Sequence, residues 1–176
     1  DELYSYSATQ APSLDLENET SLNYELGFAV DAVDLLTQGD SLQFKATAFR
    51  NEVTNLIQRA AASQPVFFEN VSEAVYEGYE LELGYDSEMF FAQAAFAHVE
   101  ARDTFYGYTL ASNPQDLLTT TLGVRLPNAG VEFGWRGHFA DDITTESRST
   151  STGAITATEF DGYTTHDLFV NWSPEI

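Results

Sequence analysis

Few side chains in this sequence belong to the types that perform acid–base, nucleophilic or metal chemistry. His138 and Arg136 are the clearest candidates, because an imidazole can ligate a metal and a guanidinium two residues away can hold an anionic group. The chain contains 3 His and no Cys, and no serine stands at a telling spacing from a histidine. No glycine-rich phosphate loop is present. The sequence therefore predicts a binding protein rather than an enzyme.

The charge balance excludes one large class of partners. The chain of 176 residues carries 28 acidic and 7 basic side chains, for a formal net charge of −21. Nucleic-acid binding needs clustered lysine and arginine, whereas the basic residues here are scattered along the chain. We expect no nucleic-acid partner.

The segments that carry these side chains alternate strictly between apolar and polar residues. From Ser21 one face reads Leu22, Tyr24, Leu26, Phe28 and Val30. Alternation of this kind is typical of β-strands and not of helices. It recurs near residues 42–49, 78–85, 90–96, 118–126, 131–139 and 167–172. The sequence thus predicts an all-β protein with an antiparallel meander of about seven strands and no convincing helix.

The connections between the predicted strands alternate between short and long. Short ones lie near residues 37–40, 86–88 and 127–130, and long polar ones near 59–72, 101–116 and 141–162. Tight turns at one end and long loops at the other are typical of a transmembrane β-barrel, with the long loops outside. A two-residue turn at Asn128-Ala129 would place Arg125 opposite Glu132, and one at Ser87-Glu88 would place Tyr85 opposite Phe90.

Membrane lipid is the expected partner of the apolar face. The polar face carries charges such as Glu82, Arg125 and Glu132, which the core of a small soluble barrel could bury only at large desolvation cost. A wide, wet lumen accepts them, which disfavours the alternative of a soluble, lipocalin-like barrel. His98 and His166 share the phase of the apolar residues, so we expect them at the level of the lipid headgroups.

The predicted strand count indicates part of a larger barrel. Bacterial single-chain barrels have an even number of strands, and residues 1–20 read as a loop rather than as an eighth strand. An open sheet would leave two unpaired edges in lipid, where no water can satisfy them. We expect further strands on both sides of this segment.

Several motifs occur in a recognisable order. Asp1-Glu2-Leu3-Tyr4 is followed by LDLENETSLNYELG from Leu14, FKATAFRNEVTNLI from Phe44 and GYELEL from Gly78. This ordered set resembles TonB-dependent outer-membrane receptors over most of the chain. The opening Glu2-Leu3-Tyr4 is most similar to the haem and haemoglobin receptors of that family.

The resemblance implies a fold and a function. The family fold is a plugged transmembrane barrel of about 22 strands, of which residues 1–176 would form an open C-terminal segment without the plug and the remaining strands. The implied function is active uptake of an iron compound, haem or a haem protein, across the outer membrane of a Gram-negative bacterium. The inner-membrane protein TonB would supply energy through the plug. A ferric siderophore receptor and a passive, porin-like channel are the alternatives.

The resemblance also implies ligand residues, although no intrinsic cofactor. Haem receptors of this type often carry a ligating histidine in the loop that corresponds to residues 1–20, but these residues contain none. If haem is the transported ligand, Tyr4 or Tyr6 could supply a phenolate to the ferric iron. If a ferric chelate is the ligand, the candidates are loop aromatics and a lumen cation, Tyr106, Tyr108 and Arg136. His138 would lie on the lumen wall beside Arg136.

Overall fold

The protein forms one large antiparallel sheet and a small separate hairpin. The structure, a computed structural model, describes residues 12–59, 68–149 and 152–173. Its strands are β1 (Thr20–Val33), β2 (Ser41–Arg59), β3 (Phe68–Asp86), β4 (Phe90–Asp103), β5 (Tyr108–Thr109), β6 (Leu117–Leu126), β7 (Val131–Ala140), β8 (Ile143–Arg148), β9 (Ile155–Phe160) and β10 (Tyr163–Trp172). In the described part of the chain, no helix has the length and apolar character needed to cross a bilayer.

The long strands pair in sequence order. The sheet runs β1-β2-β3-β4-β6-β7-β10, all neighbours being antiparallel, which confirms the predicted seven-strand meander. Two of the predicted loops, 59–72 and 141–162, are shorter in the structure than the sequence predicted. Residues 68–72 belong to β3, and the segment 141–162 contains the hairpin β8–β9. Threonine and isoleucine dominate that hairpin, and their β-branched side chains favour extended backbone over loop.

The two faces of the sheet differ as the alternation predicted. Phe28 packs on Phe44 with ring centroids 5.6 Å apart on the apolar face, while Lys45 and Glu82 form an ion pair of 3.1 Å on the polar face. No second layer covers the apolar face within the described residues, and Leu168 there is 85% exposed. An apolar surface this large requires a lipid environment rather than water.

Both histidines predicted to share the apolar face lie on it. His98 stands opposite Tyr79, with ring centroids 5.2 Å apart, and its Nδ1 lies 2.7 Å from an Asp116 carboxylate oxygen. His166 stacks on Trp135 at 5.6 Å, and the Trp135 indole N–H donates to His166 Nδ1 at 3.2 Å. Each imidazole therefore has a polar partner at an otherwise apolar surface.

One predicted register is confirmed and the other is wrong. Arg125 stands opposite Glu132, with Nε 3.2 Å from Oε2. Tyr85, however, stands opposite Ala92 and not opposite Phe90. The turn falls one residue later than predicted because the Ser87 hydroxyl donates to the Phe90 carbonyl and its oxygen accepts the Phe90 N–H. These bonds make Ser87 the last paired position before the turn.

A buried carboxylate organises the turn between β1 and β2. Asp40 is 1% exposed and accepts the backbone N–H groups of Leu35, Leu36 and Thr37, and the Tyr85 hydroxyl donates to it at 3.0 Å. Burial raises the pKa of Asp40, but these hydrogen bonds to its charged form outweigh that effect and lower the pKa to about 2. The turn therefore depends on an ionised Asp40.

Candidate functional site

The polar face of the sheet is hollowed into a groove of about 510 Å³. Small and uncharged polar side chains line most of it, with the Lys45–Glu82 ion pair to one side. The lining residues that point from the polar face are Ala29, Asp31, Gln43, Lys45, Glu82, Gly84, Gln93, Ala95, Thr119 and Thr121. Such a wall offers hydrogen-bonding groups to a polar solute. Few of its side chains are charged, so it has no cluster of like charges that would bind an ion tightly.

Arg136 and His138 flank this groove on β7. The register places Arg136 beside Thr121 and His138 beside Thr119, so both predicted residues are on the polar face. The Arg136 guanidinium carbon lies 5.8 Å from the Phe169 ring centroid. Within the part of the chain that the structure describes, no carboxylate approaches Arg136 to ion-pair distance. Asp167 is its cross-strand neighbour on β10, but the two are not ion-paired, so the guanidinium keeps hydrogen-bond donors for an anionic group.

Two aromatic rings cover glycines in a row that crosses four strands. Phe91, Gly123, Gly134 and Phe169 stand side by side in register. A Cβ added at Gly134 would lie 2.6 Å from the Phe169 ring, so the ring occupies the space that a side chain would need. Arg125 lies 4.6 Å from the Phe91 centroid. The sequence shows these glycines and phenylalanines, but it does not show that the rings lie over the glycines.

The two predicted tyrosines of the β4–β6 loop have different environments. Tyr108 is 6% exposed and packs with Val53, Ala101 and Leu110. Burial, together with the nearby Asp103 carboxylate, raises the pKa of Tyr108 to about 12, which disfavours the phenolate further. Tyr108 thus acts here as a packing residue of the loop.

Tyr106 is 44% exposed and belongs to an aromatic and cationic group at the loop surface. Its ring lies under the Arg148 guanidinium carbon at 3.7 Å and meets Phe105 edge-on, with centroids 4.7 Å apart. Sequence reasoning missed Phe105 and Arg148. Arg148 lies at the end of β8, inside a segment read as an irregular loop, so no face could be assigned to it.

Hydrogen bonds hold this loop against the β8–β9 hairpin. The Thr109 N–H donates to Glu146 Oε2 at 2.9 Å, and Gln115 Nε2 donates to the Asp161 carbonyl at 3.1 Å. The exposed group of Phe105, Tyr106 and Arg148 therefore rests on two loops rather than one. These hydrogen bonds between the two loops keep the exposed group in a defined position.

The segment before β1 and the outer part of the β2–β3 hairpin line an open cleft of about 740 Å³. Its walls combine apolar, amide and carboxylate side chains: Pro12, Ser13, Leu14, Asp15, Leu16, Glu17, Asn55, Phe68, Glu69 and Asn70. Tyr4 and Tyr6 immediately precede this segment and lie outside the described residues. Nowhere among the described residues do three His, Cys, Asp or Glu side chains cluster closely enough to hold a metal ion.

The family follows from comparison with known proteins. A family model described as TonB dependent receptor-like, beta-barrel, matches residues 1–175. The TonB-dependent heme receptor A of Haemophilus influenzae is 30% identical over an alignment covering 97% of this chain and 26% of that receptor. The hemin receptor of Yersinia enterocolitica is 26% identical, over 92% of this chain and 24% of its own length.

A solved structure shows the same fold. The FrpB iron transporter of Neisseria meningitidis matches with a TM-score of 0.67 at 20% identity, covering 94% of this chain and 26% of that protein. The chain thus spans about a quarter of the length of the curated relatives it matches. With the meander, the alternating faces and the ordered motifs already in place, the match over nearly every residue is decisive: the chain belongs to the family of TonB-dependent receptor-like β-barrels.

Proposed function

We propose that the protein takes up an iron compound, haem or a haem protein, as part of an energy-coupled receptor. Members of this family are β-barrel proteins of the Gram-negative outer membrane, which locates this chain there. The single observation that carries the haem proposal is the similarity, across almost the whole chain, to proteins named as heme and hemin receptors.

The chain would supply one part of the barrel wall. Both edges of the sheet, β1 and β10, have unpaired backbone groups within the described residues, and lipid cannot satisfy such groups. Further strands of a longer receptor would pair with both edges and close the barrel. A plug outside residues 1–176 would contact TonB and gate the lumen.

The geometry suggests two stages of ligand contact. At the outer loops, the exposed ring of Tyr106 and the Arg148 cation would meet a planar, anionic ligand first, through stacking and charge. In the lumen, Arg136 would then hold an anionic group such as a propionate beside the polar groove. His138, beside it, could donate a hydrogen bond to the same group.

An axial ligand for haem iron would have to come from elsewhere. Tyr108 is unsuited, because its side chain is buried and its raised pKa makes loss of the phenol proton to the iron harder than for an exposed tyrosine. Tyr4 and Tyr6, which lie outside the described residues, remain the predicted ligands in this chain, since a phenolate can hold ferric iron. The plug of the complete receptor is the other source.

A ferric siderophore receptor is the second candidate. The observation that favours it is the Phe105, Tyr106 and Arg148 group, because exposed rings and a cation also suit an anionic, aromatic chelate. In that case Tyr106 and Arg136 would contact the chelate and no residue would ligate its iron.

The two candidates differ in spectroscopy. Haemin titrated into the complete receptor in lipid should shift the Soret band and saturate at one site. Tyr4→Phe with Tyr6→Phe should weaken that shift if the ligand is local. If a ferric siderophore binds tightly and haemin causes no Soret change, the ligand is a ferric chelate and not haem. Growth on the bound compound as sole iron source should require TonB.

A further inference from the structure

A tight turn after β4 carries both exposed rings of the proposed outer site. The Phe105 and Tyr106 N–H groups both donate to Asp103 Oδ1, at 2.9 and 2.7 Å. The Gly107 N–H donates to the Asp103 carbonyl at 3.0 Å, and Gly107 has φ 76°, the left-handed backbone that favours glycine. Asp103 therefore closes this turn, residues 103–107, through its side chain and through its backbone.

Asp103 also fastens the turn to the sheet. Its side chain is fully buried, and it stands in register between Ala74 of β3 and Tyr108 of β5. Both neighbours belong to the buried apolar cluster at the outer end of the sheet. The next residue is held as well, since the Thr104 N–H donates to the Glu73 carbonyl at 3.1 Å. Because a buried carboxylate must keep its hydrogen bonds, the turn cannot rotate without leaving that group unsatisfied.

The rings themselves have little packing to hold them. Phe105 is 66% exposed, and Tyr106 is exposed too. They nevertheless meet edge-on, with centroids 4.7 Å apart, and the Arg148 guanidinium carbon lies 3.7 Å from the Tyr106 centroid. The directions of both rings thus depend mainly on the backbone of the turn, and the contact between Arg148 and Tyr106 depends on those directions.

We propose that Asp103 is a positioning residue for the outer ligand site. It fixes the rings of Phe105 and Tyr106 so that they form, with the Arg148 guanidinium, one preorganised surface for a planar, anionic ligand. This inference rests on the proposed function, because the site that Asp103 organises is the proposed point of first contact. A loosened turn would reduce the fraction of receptors ready to bind, and the apparent affinity would fall by that fraction.

Two substitutions loosen the turn in different ways. Asp103→Ala removes both bonds to the side-chain oxygen, whereas Asp103→Asn keeps an acceptor in place of Oδ1 and tests for rescue. Gly107→Ala leaves the buried cluster untouched: an added Cβ would meet nothing within 4 Å, so its effect is confined to strain in the left-handed backbone. Gly107→Ala also covers the case in which Asp103→Ala fails to fold.

The turn between β1 and β2 supplies matched controls. Asp40 is likewise a buried carboxylate that accepts backbone N–H groups of its own turn. Gly39 has φ 84°, and an added Cβ would again meet nothing within 4 Å. This turn lies at the other end of the strands from residues 103–107. Asp40→Ala and Gly39→Ala therefore disturb the receptor in the same two ways without touching the outer site.

Haemin titrated into the complete receptor in lipid vesicles measures the affinity of each variant. We expect Asp103→Ala to raise the haemin dissociation constant about tenfold, as the loss of two hydrogen bonds implies. Gly107→Ala should raise it about threefold, and Asp103→Asn should stay within about twofold of the wild type. Asp40→Ala and Gly39→Ala should each change it less than about twofold, since distant sites act independently.

Two further measurements separate positioning from general stability. Hydrogen exchange should accelerate at the Phe105 and Tyr106 amides in Asp103→Ala, but not in Asp40→Ala. A double-mutant cycle uses a receptor that already carries Phe105→Leu and Tyr106→Leu. If Asp103 acts through these rings, Asp103→Ala should have almost no further effect on haemin affinity in that receptor.

Four results would overturn the proposal. Unchanged exchange at Tyr106 in both Asp103→Ala and Gly107→Ala would show that the bonds do not hold the turn. Accelerated exchange with unchanged haemin affinity would show a rigid turn without a role in binding. Equal weakening by Asp40→Ala would attribute the effect to general destabilisation, and a full effect of Asp103→Ala in the receptor without the rings would show that Asp103 acts elsewhere.

The proposed ligand and the positioning role fail in different ways. Absence of haemin binding by the wild-type receptor would refute the proposed ligand. The exchange measurement at Phe105 and Tyr106 would still decide whether Asp103 fixes the turn.

Discussion

Two arginine substitutions in β6 test which face of the sheet contacts lipid and which faces the lumen. Leu122 and Thr121 are adjacent in the middle of β6, at matched depth, and their side chains leave opposite faces. Leu122→Arg would place a guanidinium in lipid between Ala92 and Trp135. Thr121→Arg would place the same group in the wet lumen.

The expected costs differ in size. An arginine on the lipid face near the midplane costs about 2–4 kcal/mol, which lowers the folding equilibrium constant roughly 30- to 700-fold. Thr121→Arg would stand directly opposite Arg136. Like charges in such a cross-strand pair cost about 0.2–1 kcal/mol. Leu122→Arg should therefore be the more damaging change by at least about 1 kcal/mol.

Urea titrations of the complete receptor, folding reversibly into lipid vesicles, measure both free energies of folding. Leu122→Gln serves as a control for the loss of apolar surface without the charge. Equal costs for Leu122→Arg and Thr121→Arg, or a larger cost for Thr121→Arg, would contradict the assignment of β6 and, through the shared register, of the whole sheet.

Three further changes test individual contacts. Gly134→Val should destabilise the receptor by about 1–3 kcal/mol in the same titrations, because its Cβ would lie 2.5 Å from the Leu122 carbonyl oxygen and 2.6 Å from Phe169, whereas Gly84→Val has nothing nearer than 4.0 Å and should be mild. The pKa of Asp40 is lowered from 3.8 in the unfolded chain to about 2 in the folded protein, so ionised Asp40 stabilises the fold above about pH 4. This contribution should disappear as the pH falls towards 2. The urea midpoint of Asp40→Asn should thus lie below that of the wild type at pH 6 and approach it near pH 2; a constant difference would contradict the titration. Arg136→Gln should slow haemin uptake by cells about fivefold, as the loss of one contact of about 1 kcal/mol implies, and leave haemin affinity at the outer loops unchanged. A loss of affinity instead would show that Arg136 contributes to the first binding site.

The sheet could be predicted because its information is local. Successive side chains of a strand point to opposite faces, so Leu22 through Val30 define a lipid face without knowledge of any partner. Antiparallel pairing then follows from the short turns, and the Arg125–Glu132 pair follows from one turn length. Each of these steps needs only neighbours in the sequence.

What could not be predicted depends on contacts between distant residues. The out-of-phase rings of Phe91 and Phe169 make sense only once the register sets them beside Gly123 and Gly134. The turn after Ser87 lies one residue later than predicted because the Ser87 hydroxyl bonds to Phe90. Asn55 has a left-handed backbone, with φ 58°, inside β2, and it hydrogen-bonds to Asn70 and Glu17, which lie 15 and 38 positions away; no strand pattern could reveal these contacts.

The distribution of charge gives the candidate site its strongest physical support. Among side-chain cations that the structure describes, Lys45, Arg50, Arg102 and Arg125 each contact a carboxylate. Arg148 and Arg136 instead lie over the rings of Tyr106 and Phe169. In a chain with 28 acidic residues, these two cations form no ion pair within the described residues, so their hydrogen-bond donors are open to an incoming anion. One of them is on the β8 side of the long loops and the other on the polar face of β7, so an anionic ligand would meet them in the order that the proposed uptake requires.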